Sequence, residues 1–356
     1  MRVVMHRPDG SVYVGERPAG PCGKRQIRVT GAFGWISSGT EGSFLRQMRK
    51  TPSSKPEDFH LGYTASGAVW SAGEEAPEFP AGSSVAVYGS PYVCHASELV
   101  VNRNLAVPVP EGVALWEAAA AGLGAIALHG LRQIEVRLGD VVVQFGLGPL
   151  GMLAGQLAEA MGAELIAVDL LPKRVEIFNT ILPGRAHCAE RVNLKDLVRS
   201  RTRGRGADAV VLAVSGSKAL EQNVAELLRD RGRISLLSGF DEQLPHFAGG
   251  MWKELEIKYV RAGGPGRRDP AYEVDGTDYP VGYVPWTENR NMEAFLRVVA
   301  AGKVKLGPLV SHCFPLEEAP RAWDLVVEHP ERTLGVLIGL DPGGRQVLPP
   351  TRGDLA

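Results

Sequence analysis

The sequence predicts an α/β chain in two parts, a β-rich, barrel-like domain and a doubly wound parallel sheet. Three observations carry this. Apolar, β-branched runs at 141–145, 165–169, 209–214 and 233–237 alternate with helical periodicity at 149–161, 172–181, 194–202 and 218–231. Such alternation builds right-handed βαβ units on a parallel sheet. Before residue 115, short strands at 26–30, 66–70, 84–88 and 98–101 are separated by Gly, Pro and Ser clusters, the spacing of a small barrel or sandwich. Where the first run of the alternating region meets its helix, Gly146, Gly148 and Gly151 stand in GxGxxG spacing.

Bulk properties narrow the class. The 356 residues suffice for two domains with sizeable cores. An apolar fraction of 44% and a charged fraction of 22% are those of a soluble globular protein. A formal net charge of -1 gives no field to attract nucleic acid or an anionic membrane, so neither is expected as a partner. Cys22, Cys94, Cys188 and Cys313 are far apart, which argues against a zinc ribbon or disulfide framework and fits a reducing cytosol. No apolar run reaches transmembrane length. The N-terminus opens with a strand-like pattern and lacks the apolar region of a signal peptide, so a cytoplasmic protein is the expectation.

Past Pro110 the pattern turns helical over 115–131, with Ala118 to Ala121 and Ala125 suited to close helix packing. Val142-Val-Gln-Phe-Gly-Leu-Gly-Pro-Leu-Gly151 then reads as a buried strand turning sharply into a helix. Gly146 permits the turn, Gly148 lets the backbone approach a pyrophosphate, and Gly151 lets the helix sit close to the strand. With Leu147, Pro149 and Leu150 they bring a phosphate to the helix N-terminus. The next strand ends in Asp169, at the separation a ribose-binding carboxylate needs. A 2′-phosphate would meet a like charge there, which favours NAD(H); Lys173 and Arg174 just beyond keep NADP(H) open.

The Gly-, Pro- and Tyr-rich segment 263–291 is long for a connection, and its aromatic content argues for order. A helix (292–301), a strand (309–314), a helix (316–328) and a strand (333–340) close the pattern, with a loose tail beyond Asp341. His129 reads as a packed or capping histidine and His95 as a surface loop residue.

Four stretches carry a family resemblance. They are Leu61-Gly-Tyr-Thr-Ala-Ser-Gly-Ala-Val69, Pro108-Val-Pro-Glu-Gly112, the glycine turn from Leu138 to Gly151, and Pro315-Leu-Glu-Glu-Ala319 with Ala322-Trp323. Together they resemble the medium-chain dehydrogenase/reductase superfamily over almost the whole chain. The resemblance implies a GroES-like β-barrel catalytic domain (1–123 and 266–356) and a Rossmann cofactor domain (124–265), usually in a homodimer. It also places Ser215, Gly239, Phe240, Gly263 and Gly264 along the nicotinamide side, and Arg332 towards the pyrophosphate.

Zinc-dependent members hold a catalytic metal at places that fall here on Ser38, Tyr63 and Leu123, and Thr64 stands where they carry a glutamate. These side chains do not supply the thiolate and imidazole ligands of such a site, and the cysteine-rich structural lobe is missing, so no zinc is expected. Hydrogen-bond donors and a general base must then do what the metal would. Thr40 falls on the family's proton-relay position, with Glu41 after it and Tyr63 in place of a metal ligand, and these three form the expected acid/base and orienting set. The alternatives are a structural ion pair for Glu41 and a space-filling role for Tyr63.

The stretch Asp278–Met292, at the end of the insert 266–291, is similar to one in the bi-domain oxidoreductases. Folded over the cleft, Tyr279, Tyr283, Trp286, Glu288, Asn289 and Arg290 would present rings and polar groups to a hydroxylated small molecule; internal packing or a dimer contact is the other reading. The expectation is an NAD(H)-dependent, zinc-independent oxidoreductase acting on a polar secondary alcohol or ketone, such as a sugar- or cyclitol-like biosynthetic intermediate. A reductase of an activated C=C bond and a non-catalytic nucleotide-binding protein are the alternatives.

Overall fold

The computed structural model describes residues 1–54, 57–214, 218–238, 247, 249–341, 348–353 and 355, without the side chains of 218–222. The expected loose tail beyond Asp341 therefore lies partly outside the described residues. The chain forms two compact units. One comprises 1–125, 263–301 and 309–356, and the other 126–262 with 302–308.

The second unit is built on a six-stranded parallel sheet. Its spatial order is Ala186–Cys188, Glu164–Asp169, Val141–Phe145, Ala207–Leu212, Leu228–Leu236, Glu256–Tyr259. Numbered along the chain this is 3-2-1-4-5-6, the doubly wound order with its switch point beside Val141–Phe145. Val143 pairs with Ile166 on one side and Val210 on the other. All three are buried in one cluster with Leu212 and Ile234, and each such side chain contributes roughly 1.5–3 kcal/mol on leaving water. A parallel strand covered on both faces is nearly continuously apolar, which is why these runs show no alternation. The helix expected to reach 231 ends instead at Leu227. Leu228 already pairs with Ala207, and Arg231 sits at φ 56, where helix cannot continue.

In the first unit, Gln26–Trp35 is the central strand of a mainly antiparallel sheet. The sheet runs Val310–Pro315, Gly335–Gly339, Gln26–Trp35, Thr64–Ala72, Ser84–Tyr88, Ala106–Pro108, and Glu98–Asn102 also pairs with the central strand. Only its first pair is parallel. Val29, Val69, Val85, Leu99 and Trp323 lie in its core. The helix Thr40–Lys50 follows the central strand closely, with Leu45 and Met48 buried. The expected helix over 115–131 is divided into Leu115–Ala118 and Ala121–Gln133. Segment 263–291 contains the short helix Pro270–Glu273 and runs into the helix Glu288–Ala300, which starts before the expected 292.

Candidate functional site

In the second unit, Val141–Phe145 ends at Gly146, whose φ of +95 suits glycine; a Cβ there would lie 2.4 Å from Val214 Cγ1. Gln144, fully buried in an otherwise apolar strand, donates from Nε2 to Gly146 O at 3.1 Å and Gly151 O at 2.8 Å. One amide thus fastens both ends of the turn. Sequence reasoning passed over it, although a glutamine inside an apolar run was a usable signal. A Cβ on Gly151 would stand 2.1 Å from Gly146 O, whereas one on Gly148 would meet nothing within 4 Å.

Gly148 caps the helix Pro149–Ala160 with no side chain, and proline at the helix start removes a donor that would have gone unmet. Leu147 is buried, and its N–H donates to Asp169 Oδ2 at 2.6 Å. Asp169 Oδ1 accepts from Leu171 N at 2.8 Å. The carboxylate therefore organises the two loops beside the turn while each oxygen retains a further acceptor position. Arg174, partly buried, lies in the first turn of Pro172–Ile181. Ser215, Gly239 and Phe240 lie outside the described residues.

The expected catalytic residues belong to the first unit. Glu41, in the first turn of Thr40–Lys50, is buried. Its Oε1 accepts from Gly62 N at 2.6 Å and its Oε2 from Ser37 N at 3.4 Å. Glu41 makes no ion pair among the described residues. Burial pushes its carboxyl up to about 7, against the pull of the two backbone donors. Gly62 takes φ +100, and a Cβ there would strike the His95 ring at 2.4 Å.

Tyr63 donates its hydroxyl proton to Ser37 Oγ at 2.7 Å, and its ring meets Tyr88 edge-on with centroids 5.9 Å apart. Burial, then the charge of Glu41, raises the Tyr63 phenol well above its ordinary value. Thr40 is exposed and its hydroxyl acts on the same phenol. Glu41, Ser37, Tyr63 and Thr40 are thus one connected group. Ser37 and Tyr88 were missed from sequence: serine is too common to stand out, and Tyr88 reads as a core position.

Tyr88 is almost fully buried, and its hydroxyl accepts from Gly263 N at 3.1 Å. Gly263 O accepts from Asn291 Nδ2 at 2.8 Å, and Gly264 follows at φ +111. Burial first, and the charge of Glu288 second, raise the Tyr88 phenol. Arg332, also in the first unit, is partly buried, and its carbonyl accepts from Leu355 N.

The insert spends much of its polarity on itself. Arg290 pairs with Asp278 at 2.6 Å and donates to Pro285 O and Val284 O. Tyr279 donates to Asp269 and stacks on Tyr272 at 5.6 Å. Asn289 is tied to Asn104 O and Ala106 O. Glu288 is fully buried, Tyr283 is 89% exposed and Trp286 is exposed.

Ser38, Tyr63 and Leu123 offer a neutral hydroxyl, a phenol that holds its proton and a buried aliphatic side chain. These do not fit zinc, whose catalytic sites take three protein ligands from Cys, His and carboxylates. No group of three or more His, Cys, Asp or Glu among the described residues is arranged to hold a metal ion. His95, expected at the surface, is fully buried beside Trp323 because Gly34 and Gly62 leave room for its ring. His129 is also buried.

A sequence profile described as zinc-binding dehydrogenase matches residues 149–271. Sorbitol dehydrogenase 1 of Saccharomyces cerevisiae is 26% identical over 235 residues, covering 64% of this chain; the chain spans 59% of the length of that relative. D-guloside 3-dehydrogenase of Shigella flexneri is 27% identical over 287 residues, covering 78% of this chain and 76% of that protein. An alcohol dehydrogenase structure from a Thermus species superposes with a TM-score of 0.75 at 25% identity, covering 95% of this chain and 99% of the other.

Proposed function

The chain belongs to the medium-chain dehydrogenase/reductase superfamily, and from that premise we propose an NAD(H)-dependent, zinc-independent oxidoreductase of polar secondary alcohols or ketones. The observation that carries this is the Glu41–Ser37–Tyr63 group, which stands where the resemblance puts metal-binding chemistry.

The open face at Gly148 and the two-loop carboxylate of Asp169 fit a dinucleotide, with the helix N-terminus for its pyrophosphate and Asp169 for its ribose. When bound, the nicotinamide supplies hydride exchange with the substrate carbon. The chain's own residues handle the proton. Tyr63 keeps its phenolic proton at neutral pH and, on turning it away from Ser37 Oγ, donates a hydrogen bond to the substrate oxygen. Glu41, titrating near 7, takes the alcohol proton during oxidation and returns it during reduction. Thr40 links this buried group to solvent.

In this reading the first unit is catalytic and the second binds the cofactor. A sugar- or cyclitol-like substrate is supported by the sorbitol and D-guloside dehydrogenases among the relatives and by the rings of Tyr279, Tyr283 and Trp286. A cytoplasmic homodimer completes the proposal. The support for the dimer is the edge strand Glu256–Tyr259, with Trp252, Ile257 and Tyr259 exposed on and beside it. Metal analysis, NADH fluorescence titration, sedimentation and turnover against a panel of polyols, ketones and enones test it. Stoichiometric zinc, or turnover confined to enones, would overturn it; tight NADH binding with no turnover would favour a nucleotide-binding protein instead.

A further inference from the structure

A cavity of about 370 Å³ opens in the first unit, lined by Ser90, Pro91, Tyr92, Arg267, Arg268, Pro270 and Glu273. That volume falls within the usual range for small-molecule sites. Two arginines and one carboxylate line it, leaving one net positive charge. Arg267 is largely buried and pairs with Glu273, which is 4% exposed, while its other amino group donates to Ser90 O. Arg268 is exposed and makes no ion pair among the described residues. Its backbone lies at φ 63, a left-handed conformation an arginine rarely adopts. Strained backbone of this kind clusters at sites that hold ligands.

The cavity adjoins the Tyr63 group. Ser90, Pro91 and Tyr92 follow Tyr88 after Gly89, whose N–H donates to Tyr63 O at 2.9 Å. The charge of Arg267 acts on both Tyr63 and Tyr88. Asp269, the nearest other acid along the chain, has its oxygens committed to Ala271 N and the Tyr279 hydroxyl.

We propose that this cavity binds the anionic group, phosphate or carboxylate, of a hydroxylated substrate, with Arg268 as its recognition residue and Arg267 held beside it by Glu273. The assignment rests on the first unit being the substrate-binding one. A planar guanidinium lining a cavity suits two-point recognition of an oxyanion.

The test is calorimetric and needs no turnover. Inorganic phosphate, sorbitol 6-phosphate, gluconate and sorbitol are titrated into wild-type protein, Arg268→Ala, Arg268→Gly and Arg203→Gly. Arg203 shares the left-handed backbone, at φ 53, but lies in the second unit and is the control. Saturable binding of phosphate or gluconate, weakened about tenfold or more by both Arg268 variants and unchanged by Arg203→Gly, is expected. Arg268→Gly should raise the melting temperature while losing the anion, which a purely structural arginine would not do. Tighter binding of sorbitol 6-phosphate than gluconate assigns the site to phosphate, and the reverse order to carboxylate. Sorbitol binding as tightly as both, or anion binding untouched in the Arg268 variants, overturns the proposal. NADH fluorescence titration of the same samples reads the oxidoreductase assignment separately, because loss of NADH binding there leaves the calorimetric result standing.

Discussion

Glu41 Oε1 accepts the Gly62 backbone N–H at 2.6 Å, which fastens the buried acid to the residue immediately before Tyr63. Replacing the acid by its amide keeps an acceptor for Gly62 but removes the titration. Glu41→Gln should lower kcat by about 10²–10⁴-fold and abolish the limb of the pH–rate profile near 7. It should also change stability with a defined sign. The folded carboxyl holds its proton up to about 7 against an ordinary 4.5, so the folded state binds more protons between those values. Stability therefore falls as pH rises through that window, by on the order of 3 kcal/mol. Urea unfolding of Glu41→Gln should lack this slope; an unchanged slope would place the titration elsewhere.

The buried histidines act in the opposite direction. Burial lowers both His95 and His129 to about 4, from an ordinary 6.5. The unfolded chain then binds more protons between 4 and 6.5, and stability is lost as pH falls through that range. His95→Leu, which removes a titrating ring from beside Trp323, should reduce the acid-side loss measured by tryptophan fluorescence. Equal acid sensitivity in the variant and the parent would count against the buried neutral ring.

Local chemistry was legible in the sequence where one residue type had one physical reason to stand at one place. The parallel sheet followed from apolar runs alternating with helical ones, and the glycine turn from the GxGxxG spacing between strand and helix. Long-range pairings were not legible. Arg267 reaches Ser90 O across 177 residues, a separation at which no periodicity survives. His95 was misread because its burial depends on the missing Cβ atoms of Gly34 and Gly62, one on the central strand and one in a turn. Arg290 looked like a ligand-facing cation because sequence alone does not reveal that Asp278 and two carbonyls encircle it.

Asp169 should decide the cofactor. Its two oxygens already order Leu147 and Leu171, so truncation disturbs the turn as well as the ribose contact. Asp169→Ala should weaken NADH about tenfold or more and narrow the preference over NADPH, since the like charge facing a 2′-phosphate is gone. Fluorescence titration with both nucleotides measures this. Wild-type protein that prefers NADPH would refute the role given to Asp169.

The glycines of the turn make the sharpest contrast. A methyl on Gly151 would stand 2.1 Å from Gly146 O, a backbone atom fixed by Gln144 and unable to give way. Gly151→Ala should therefore cost about 1–3 kcal/mol or more of stability, read as a lower melting temperature with or without ligand. Gly148 has φ -69 and ψ 178, which alanine adopts freely, and a methyl there meets nothing within 4 Å. Gly148→Ala should fold with an unchanged or slightly higher melting temperature. The empty space is where a pyrophosphate would approach the backbone, so the same variant should bind NADH about tenfold more weakly. One glycine is thus required by the fold and the other by the ligand. NADH binding unimpaired in Gly148→Ala would mean that the dinucleotide does not enter over this turn.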